Sequence, residues 1–188
     1  MKIEIISGSP RDNSTTRRVA LFLQQWFLEN TNHETGLIDL RHDGLPAIQN
    51  VFTSVDNTPA PYKELSERIF SANSFILVSP EYNGSYSPAL KNLLDHYPKQ
   101  HHTPFGIVTA SPGAMGGIRA SQQMQLLVNA LFGVASPYML IVPAVDKKFD
   151  AEGNLLDESF EHNVRNFVTE YLWLAETLVE NKCFAKAI

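Results

Sequence analysis

Cysteine is nearly absent: Cys183 is the only one in 188 residues. A lone thiol cannot close an internal disulfide, so a secreted scaffold held by disulfides is excluded. No apolar stretch approaches the roughly 20 residues that a membrane helix needs. The opening run, residues 1–6, is short and broken by Glu4, which does not suit a secretion signal. A surplus of positive charge is missing too. The 15 basic and 20 acidic residues leave a net charge of −5, with no long basic run. That argues against nucleic acid as the main partner. The expectation is a cytoplasmic protein with neither a membrane nor a nucleic-acid partner. Several chemical signatures are absent as well. There is no Gly-x-Gly-x-x-Gly, no Walker lysine pattern and no Gly-x-Ser-x-Gly. A Rossmann dinucleotide fold, a P-loop NTPase and a serine hydrolase are therefore disfavoured. His101 and His102 are adjacent and cannot both face one metal from a regular element. No metal site is expected.

What is present suits one packed domain over residues 1–188: 44% of residues are hydrophobic and 19% charged. Short apolar runs recur at 2–7, 36–40, 75–79, 105–110 and 138–142. They are rich in β-branched and aromatic residues, and most lack polar alternation. Strands covered on both faces of a parallel sheet read that way. Helical spacing fills the gaps. Val19, Phe22, Leu23, Trp26 and Phe27 predict a helix over 14–30. A short one is expected at 62–72. Leu90, Leu93, Leu94 and Tyr97 mark another, with Ser87 as N-cap and Pro88 in the first turn. Met124 to Phe132 and Phe160 to Leu178 carry the last two. Segments 41–61 and 146–157 read as loops. Strands alternating with helices imply right-handed crossovers and a doubly wound α/β sheet.

In such sheets ligands sit beyond the carboxyl ends of the strands. That singles out three loops, 8–13, 80–87 and 111–119. The first runs Ser7-Gly8-Ser9-Pro10-Arg11-Asp12-Asn13-Ser14-Thr15-Thr16 into a helix. A helix N-terminus, the hydroxyls of Ser9, Ser14, Thr15 and Thr16 and the fixed cation Arg11 suit a phosphate. Capping by Ser14 with a solvated Arg11 is the plainer alternative. The second, Pro80-Glu81-Tyr82-Asn83-Gly84-Ser85, holds a charge, a ring and an amide but no nucleophile–base pair. The third places Gly113, Gly116 and Gly117 within five positions after Ser111. It is either a flexible turn or exposed backbone along which a flat ring can lie.

Together "GSPRDNST", "SPEYNGSYSPALKNLLDH" and "SPGAMGGIRA" resemble the NADPH-dependent FMN reductase family, a flavodoxin-like group that includes quinone, chromate and azo-dye reductases. The family's Gly-Ser-x-Arg-x-x-Ser-x-Asn is matched by Gly8, Ser9, Arg11 and Ser14, with Thr16 in place of the asparagine. Its Pro-Glu-Tyr-Asn is Pro80 to Asn83. Its Ser-x-Gly-x-x-Gly-Gly is Ser111, Gly113, Gly116 and Gly117. The resemblance implies a three-layer sandwich around a five-stranded parallel sheet of order 2-1-3-4-5. It implies that Ser9, Arg11, Ser14 and Thr16 hold the FMN phosphate, with Thr15 beside them. Pro80, Glu81, Tyr82, Asn83 and Gly84 would flank the isoalloxazine on one side, and Ser111, Gly113, Gly116 and Gly117 on the other. Glu81 and Tyr82 could face ligand or a neighbouring subunit. The implied activity is ping-pong hydride transfer from NADPH or NADH to FMN and on to a quinone, flavin, nitro or azo compound or metal oxyanion, with no dedicated catalytic side chain. Arg17, Lys91 and Arg119 are candidates for a 2′-phosphate, and spacing selects none of them. A homodimer or homotetramer is implied, with the site at the subunit boundary. The alternative is a flavodoxin-type electron carrier or a non-catalytic FMN-binding protein.

Overall fold

In the computed structural model the backbone is described for residues 1–185 and side chains through residue 181, so the Cys183 thiol lies outside the described residues. The chain runs β1 (Lys2–Ser7), α1 (Thr16–Asn30), β2 (Glu34–Asp39), α2 (Lys63–Ser71), β3 (Ser74–Ser79), α3 (Pro88–Asp95), β4 (Pro104–Ala110), α4 (Ile118–Ala130), β5 (Val134–Ala135), β6 (Leu140–Val142), α5 (Val145–Lys148) and α6 (Glu161–Ala185). The strands are parallel and ordered β2-β1-β3-β4-β5, with β6 also pairing β4. This is the 2-1-3-4-5 order expected.

The fifth position is the one departure. The expected strand at 138–142 is present as Leu140–Val142, and a second short piece, Val134–Ala135, precedes it on the same edge of β4. Val134 and Ala135 pair Pro104 and Phe105, while Leu140 to Val142 pair Val108 to Ala110. Pro137, which has no N–H to donate, lies between them and interrupts the ladder.

Each face of the sheet carries its own core. On one, Ile3, Ile5, Ile76, Val78 and Val108 meet Val19, Leu23 and Phe27 of α1 and Phe167 and Tyr171 of α6. On the other, Ile6, Ile38, Leu77, Phe105 and Ile107 meet Ile69 of α2, Leu90 and Leu94 of α3, and Met124 and Val128 of α4. Burial on both faces explains the unbroken apolar runs. Glu4 is the exception, and it is paid for locally: Arg68 of α2 grips its carboxylate at 3.1 and 2.5 Å. Gly36 on β2 leaves the space, since a Cβ there would lie 2.4 Å from Glu4 Oε2.

Segment 146–157 is not a plain loop. It contains most of α5 and an antiparallel bridge between Phe149 and Leu155. Phe149 is fully buried, and Gly153 (φ +93°) lies against α1, where a Cβ would come 2.8 Å from Leu21 Cβ. Segment 41–61 is irregular as expected until a 3-10 turn at Ala60–Tyr62 leads into α2.

Candidate functional site

The three loops meet at the carboxyl end of β1, β3 and β4. Their backbones are tied before any ligand is considered. Gly8 N–H donates to Val78 O at 2.8 Å. Ser87 Oγ donates to Gly8 O while accepting from Leu90 N–H at 3.1 Å, so the residue that caps α3 also anchors the first loop. Ser79 Oγ accepts from Ser87 N–H at 3.0 Å and donates to Pro80 O at 2.9 Å. Thr16 is only 2% exposed, and its hydroxyl donates to Ala110 O at 3.5 Å, joining α1 to the end of β4.

Between the loops lies a cleft of about 300 Å³. Ser9, Arg11, Ser14, Thr15, Thr16, Pro80, Glu81, Tyr82 and Ser111, all expected from sequence, line it. Asn13, Ala110 and Pro112 line it too. Asn13 and Pro112 are sequence neighbours of expected residues, and the polarity of the first loop could have flagged Asn13. Asn83, Gly84, Gly113, Gly116 and Gly117 are not among the lining residues and sit on the flanking turns.

Those turns have their own reasons. Asn83 (φ +51°) and Gly84 (φ +83°) are the centre of a tight turn closed by Tyr82 N–H to Ser85 O at 2.8 Å and Ser85 N–H to Tyr82 O at 3.1 Å. Two positive φ values in an Asn-Gly pair mark a type I′ turn. Gly116 (φ +59°) leaves no room for a side chain, since a Cβ would lie 2.7 Å from Pro143 N. Ser111 Oγ accepts from Gly113 N–H at 3.0 Å and holds the start of this loop.

The charges divide cleanly. Arg17 and Arg41 both donate to Asp39 Oδ2, at 2.9 and 2.7 Å. Burial pushes the Asp39 carboxyl up, but the hydrogen bonds from Arg41 and Arg17 outweigh it and hold the group below the usual carboxylate range. Glu81 pairs with Arg119 at 3.2 Å and also accepts from the Arg119 and Ala120 backbone N–H groups at 3.1 and 3.4 Å. Its carboxylate faces α4 of its own chain. Arg11 has no carboxylate partner among the described residues. Its guanidinium lies 4.5 Å over the Tyr82 ring. The buried Tyr82 hydroxyl has no hydrogen-bond partner among the described residues.

Ser14 does cap α1, accepting from Arg17 N–H at 3.2 Å, so the plainer reading of that residue holds. A hydroxyl oxygen has two lone pairs and a proton, and capping leaves capacity for a second contact. The cleft thus offers an unpaired cation, the Ser9, Ser14 and Thr15 hydroxyls and a helix N-terminus to an anion. The rings of Tyr82, Pro80 and Pro112 line the same cleft and offer apolar surface to a flat group. Those donors fit the phosphate and ring of FMN.

Among the described residues no group of three or more His, Cys, Asp or Glu side chains could hold a metal. His101 stacks on Phe132 at 4.9 Å, before the start of β4 and so at the opposite end of the sheet. No described helix is long and apolar enough to cross a membrane.

The sequence pattern of the family described as NADPH-dependent FMN reductase matches residues 1–145. An FMN-dependent NADPH-azoreductase of Staphylococcus aureus is 32% identical over 179 residues, covering 90% of this chain and 93% of that protein. In fold, the chain is similar to the flavoenzyme NAD(P)H:(acceptor) oxidoreductase FerB from Paracoccus denitrificans, with a TM-score of 0.78 at 22% identity over 94% of this chain and 97% of that one. It is also similar to a flavodoxin from Pseudomonas aeruginosa, with a TM-score of 0.54 at 21% identity over 95% and 97% of the two chains.

Proposed function

Because the chain belongs to the NADPH-dependent FMN reductase family, we propose that it carries FMN in the three-loop cleft and reduces a small-molecule acceptor there with NAD(P)H. The enzyme class, an FMN-dependent NAD(P)H oxidoreductase, follows from the family. The observation that carries the site is Arg11, an unpaired guanidinium stacked on Tyr82 where α1 begins. In this reading Arg11 and the Ser9, Ser14 and Thr15 hydroxyls hold the phosphate, and the buried Thr16 supports them from beneath. Pro80, Tyr82 and Ser111 flank the ring. Glu81, Asn83, Gly84, Gly113, Gly116 and Gly117 shape the two walls.

A bound flavin would supply the redox chemistry that links the nicotinamide to the acceptor. The chain's residues bind, orient and shield. None is needed as an acid or base, so no catalytic side chain is assigned. Acceptors of the azo, quinone, nitro, flavin or metal-oxyanion type suit a site open at the rim, and the named activity of the Staphylococcus relative favours the azo class.

In this reading residues 1–188 form one FMN-binding domain of a cytoplasmic homodimer or homotetramer. Met115, Ile118 and Leu126 are exposed on the third loop and on α4 beside the site, and a second copy would cover them.

The test is the visible spectrum of the purified protein. A flavin band that bleaches anaerobically on NADPH or NADH addition is expected. Failure to bind FMN removes the site. Binding without reduction by either nucleotide leaves the electron-carrier reading.

A further inference from the structure

We propose that Glu81 is a positioning residue whose carboxylate, by clasping the start of α4, sets the gap between the two walls of the cleft; this rests on the FMN site proposed above.

The argument starts at Gly117. It precedes α4 with φ +87°, and a Cβ there would fall 2.9 Å from Thr109 Cβ, so the chain needs glycine. Glycine has no side chain with which to cap a helix. The first turn of α4 holds no acidic residue and receives no side-chain bond from its own N-cap position. The orphan N–H groups of a helix start still need acceptors.

Glu81 provides them from a different loop. Its Oε2 accepts from Arg119 and Ala120 N–H at 3.1 and 3.4 Å, and its Oε1 takes Arg119 Nη1 at 3.2 Å. The carboxylate is also the favoured sign at the positive end of a helix dipole. The glutamate side chain is 15% exposed and that of Arg119 67%, so the carboxylate is half-sheltered against the helix start while the ion pair faces solvent.

The clasp is continuous with the site. Glu81 lines the cleft together with its neighbours Pro80 and Tyr82, and Tyr82 carries the Arg11 guanidinium. One carboxylate therefore fixes the second loop against the helix that ends the third. It also occupies the α4 helix start and pairs with Arg119, so that Arg11 is the cation left for a phosphate.

The experiment compares FMN affinity by fluorescence titration, and the visible circular dichroism of the bound flavin, in wild type, Glu81→Ala, Glu81→Gln and Asp157→Ala. Asp157 is the control, a side-chain cap elsewhere that accepts from Ser159 N–H at 3.1 Å. Glu81→Ala is expected to raise the FMN dissociation constant about tenfold and to alter the flavin dichroism. Glu81→Gln keeps one acceptor oxygen and is expected to lie between it and wild type. Asp157→Ala is expected to leave both readouts unchanged, since loss of a cap as such does not reach the flavin. Wild-type affinity and dichroism in Glu81→Ala overturn the proposal, as does an equal loss in the Asp157 control. If Glu81→Ala does not fold, wild-type values in Glu81→Gln overturn it. A wild-type protein that binds no FMN sinks the site itself, which is a different result from a Glu81 variant that binds it normally.

Discussion

At the scale of single residues, the cleft rests on one guanidinium. Arg17 and Arg41 are committed to Asp39, and Arg119 to Glu81. Arg11 remains, held over Tyr82 without a carboxylate. A hydrogen bond to a charged group contributes about 1.5–3 kcal/mol. Arg11→Ala is therefore expected to weaken FMN binding roughly 10- to 100-fold while barely changing the affinity for riboflavin, which lacks the phosphate. Titration of both flavins checks this, and equal losses for the two would remove Arg11 from the phosphate. Asn83 needs a different reading. From sequence it is one of the residues expected to flank the isoalloxazine; in the structure its first task is a turn at φ +51°. Asn83→Leu would put a branched side chain in the left-handed region, costing about 1–2 kcal/mol, and would confuse folding with binding. Asn83→Gly keeps the turn and removes only the amide. Its FMN affinity is expected to stay within about twofold of wild type if the turn is the residue's role; a larger loss would show that the amide touches ligand. The Asn-Gly pair was legible as a turn signal, yet its position inside a family motif also gives it a binding role, and only the backbone angles separate the two.

At the scale of elements, what could be read from sequence was what is decided locally. Ser87-Pro88 announces a helix start, and the Ser87 hydroxyl does accept from Leu90 N–H. Its second bond, to Gly8 O, joins residues 79 positions apart and has no local signature. Ser87→Ala removes both and is expected to cost about 1–2 kcal/mol, seen in urea unfolding as a lower midpoint with an unchanged slope. A loss below about 0.5 kcal/mol would mean that neither bond matters. The same distinction explains the misread elements. The split of the fifth strand depends on which residues of β4 face Val134 and Leu140. The folding of 146–157 depends on Phe149 reaching Phe22 of α1, with ring centroids 5.1 Å apart. The glycines of the third loop are visible in sequence, but Gly116 is required by Pro143 and Gly117 by Thr109, contacts that sequence spacing does not reveal.

At the scale of the whole molecule, two properties follow from how the parts are joined. Asp39 ties β2 to α1 through Arg17 and to the following loop through Arg41. Its folded pKa lies below its unfolded one. Its stabilisation is therefore complete above the unfolded carboxylate range, near ~4, and is lost as pH falls through the lower folded value. Asp39→Asn should be less stable than wild type at neutral pH, and the gap should narrow in thermal unfolding series carried toward ~pH 3; a gap independent of pH would show that the ionised carboxylate contributes nothing. The second property is assembly. Leu90, Leu94, Met124 and Leu127 are core, so they do not speak for an interface. Met115, Ile118 and Leu126 do, at 57%, 40% and 62% exposure along the third loop and the outer side of α4. An interface of ordinary size covers about 800 Å² per partner and excludes unpaired charge from its centre. Leu126→Glu places such a charge there without touching the cleft lining. Sedimentation velocity is expected to show a dimer or larger species for wild type and a 21.0 kDa monomer for the variant. If the second copy only flanks the cleft, the monomer should keep its FMN affinity; if it closes the cleft, affinity should fall with the assembly and recover as protein concentration rises. A wild type that sediments as a monomer at every concentration would leave this apolar face to some other role.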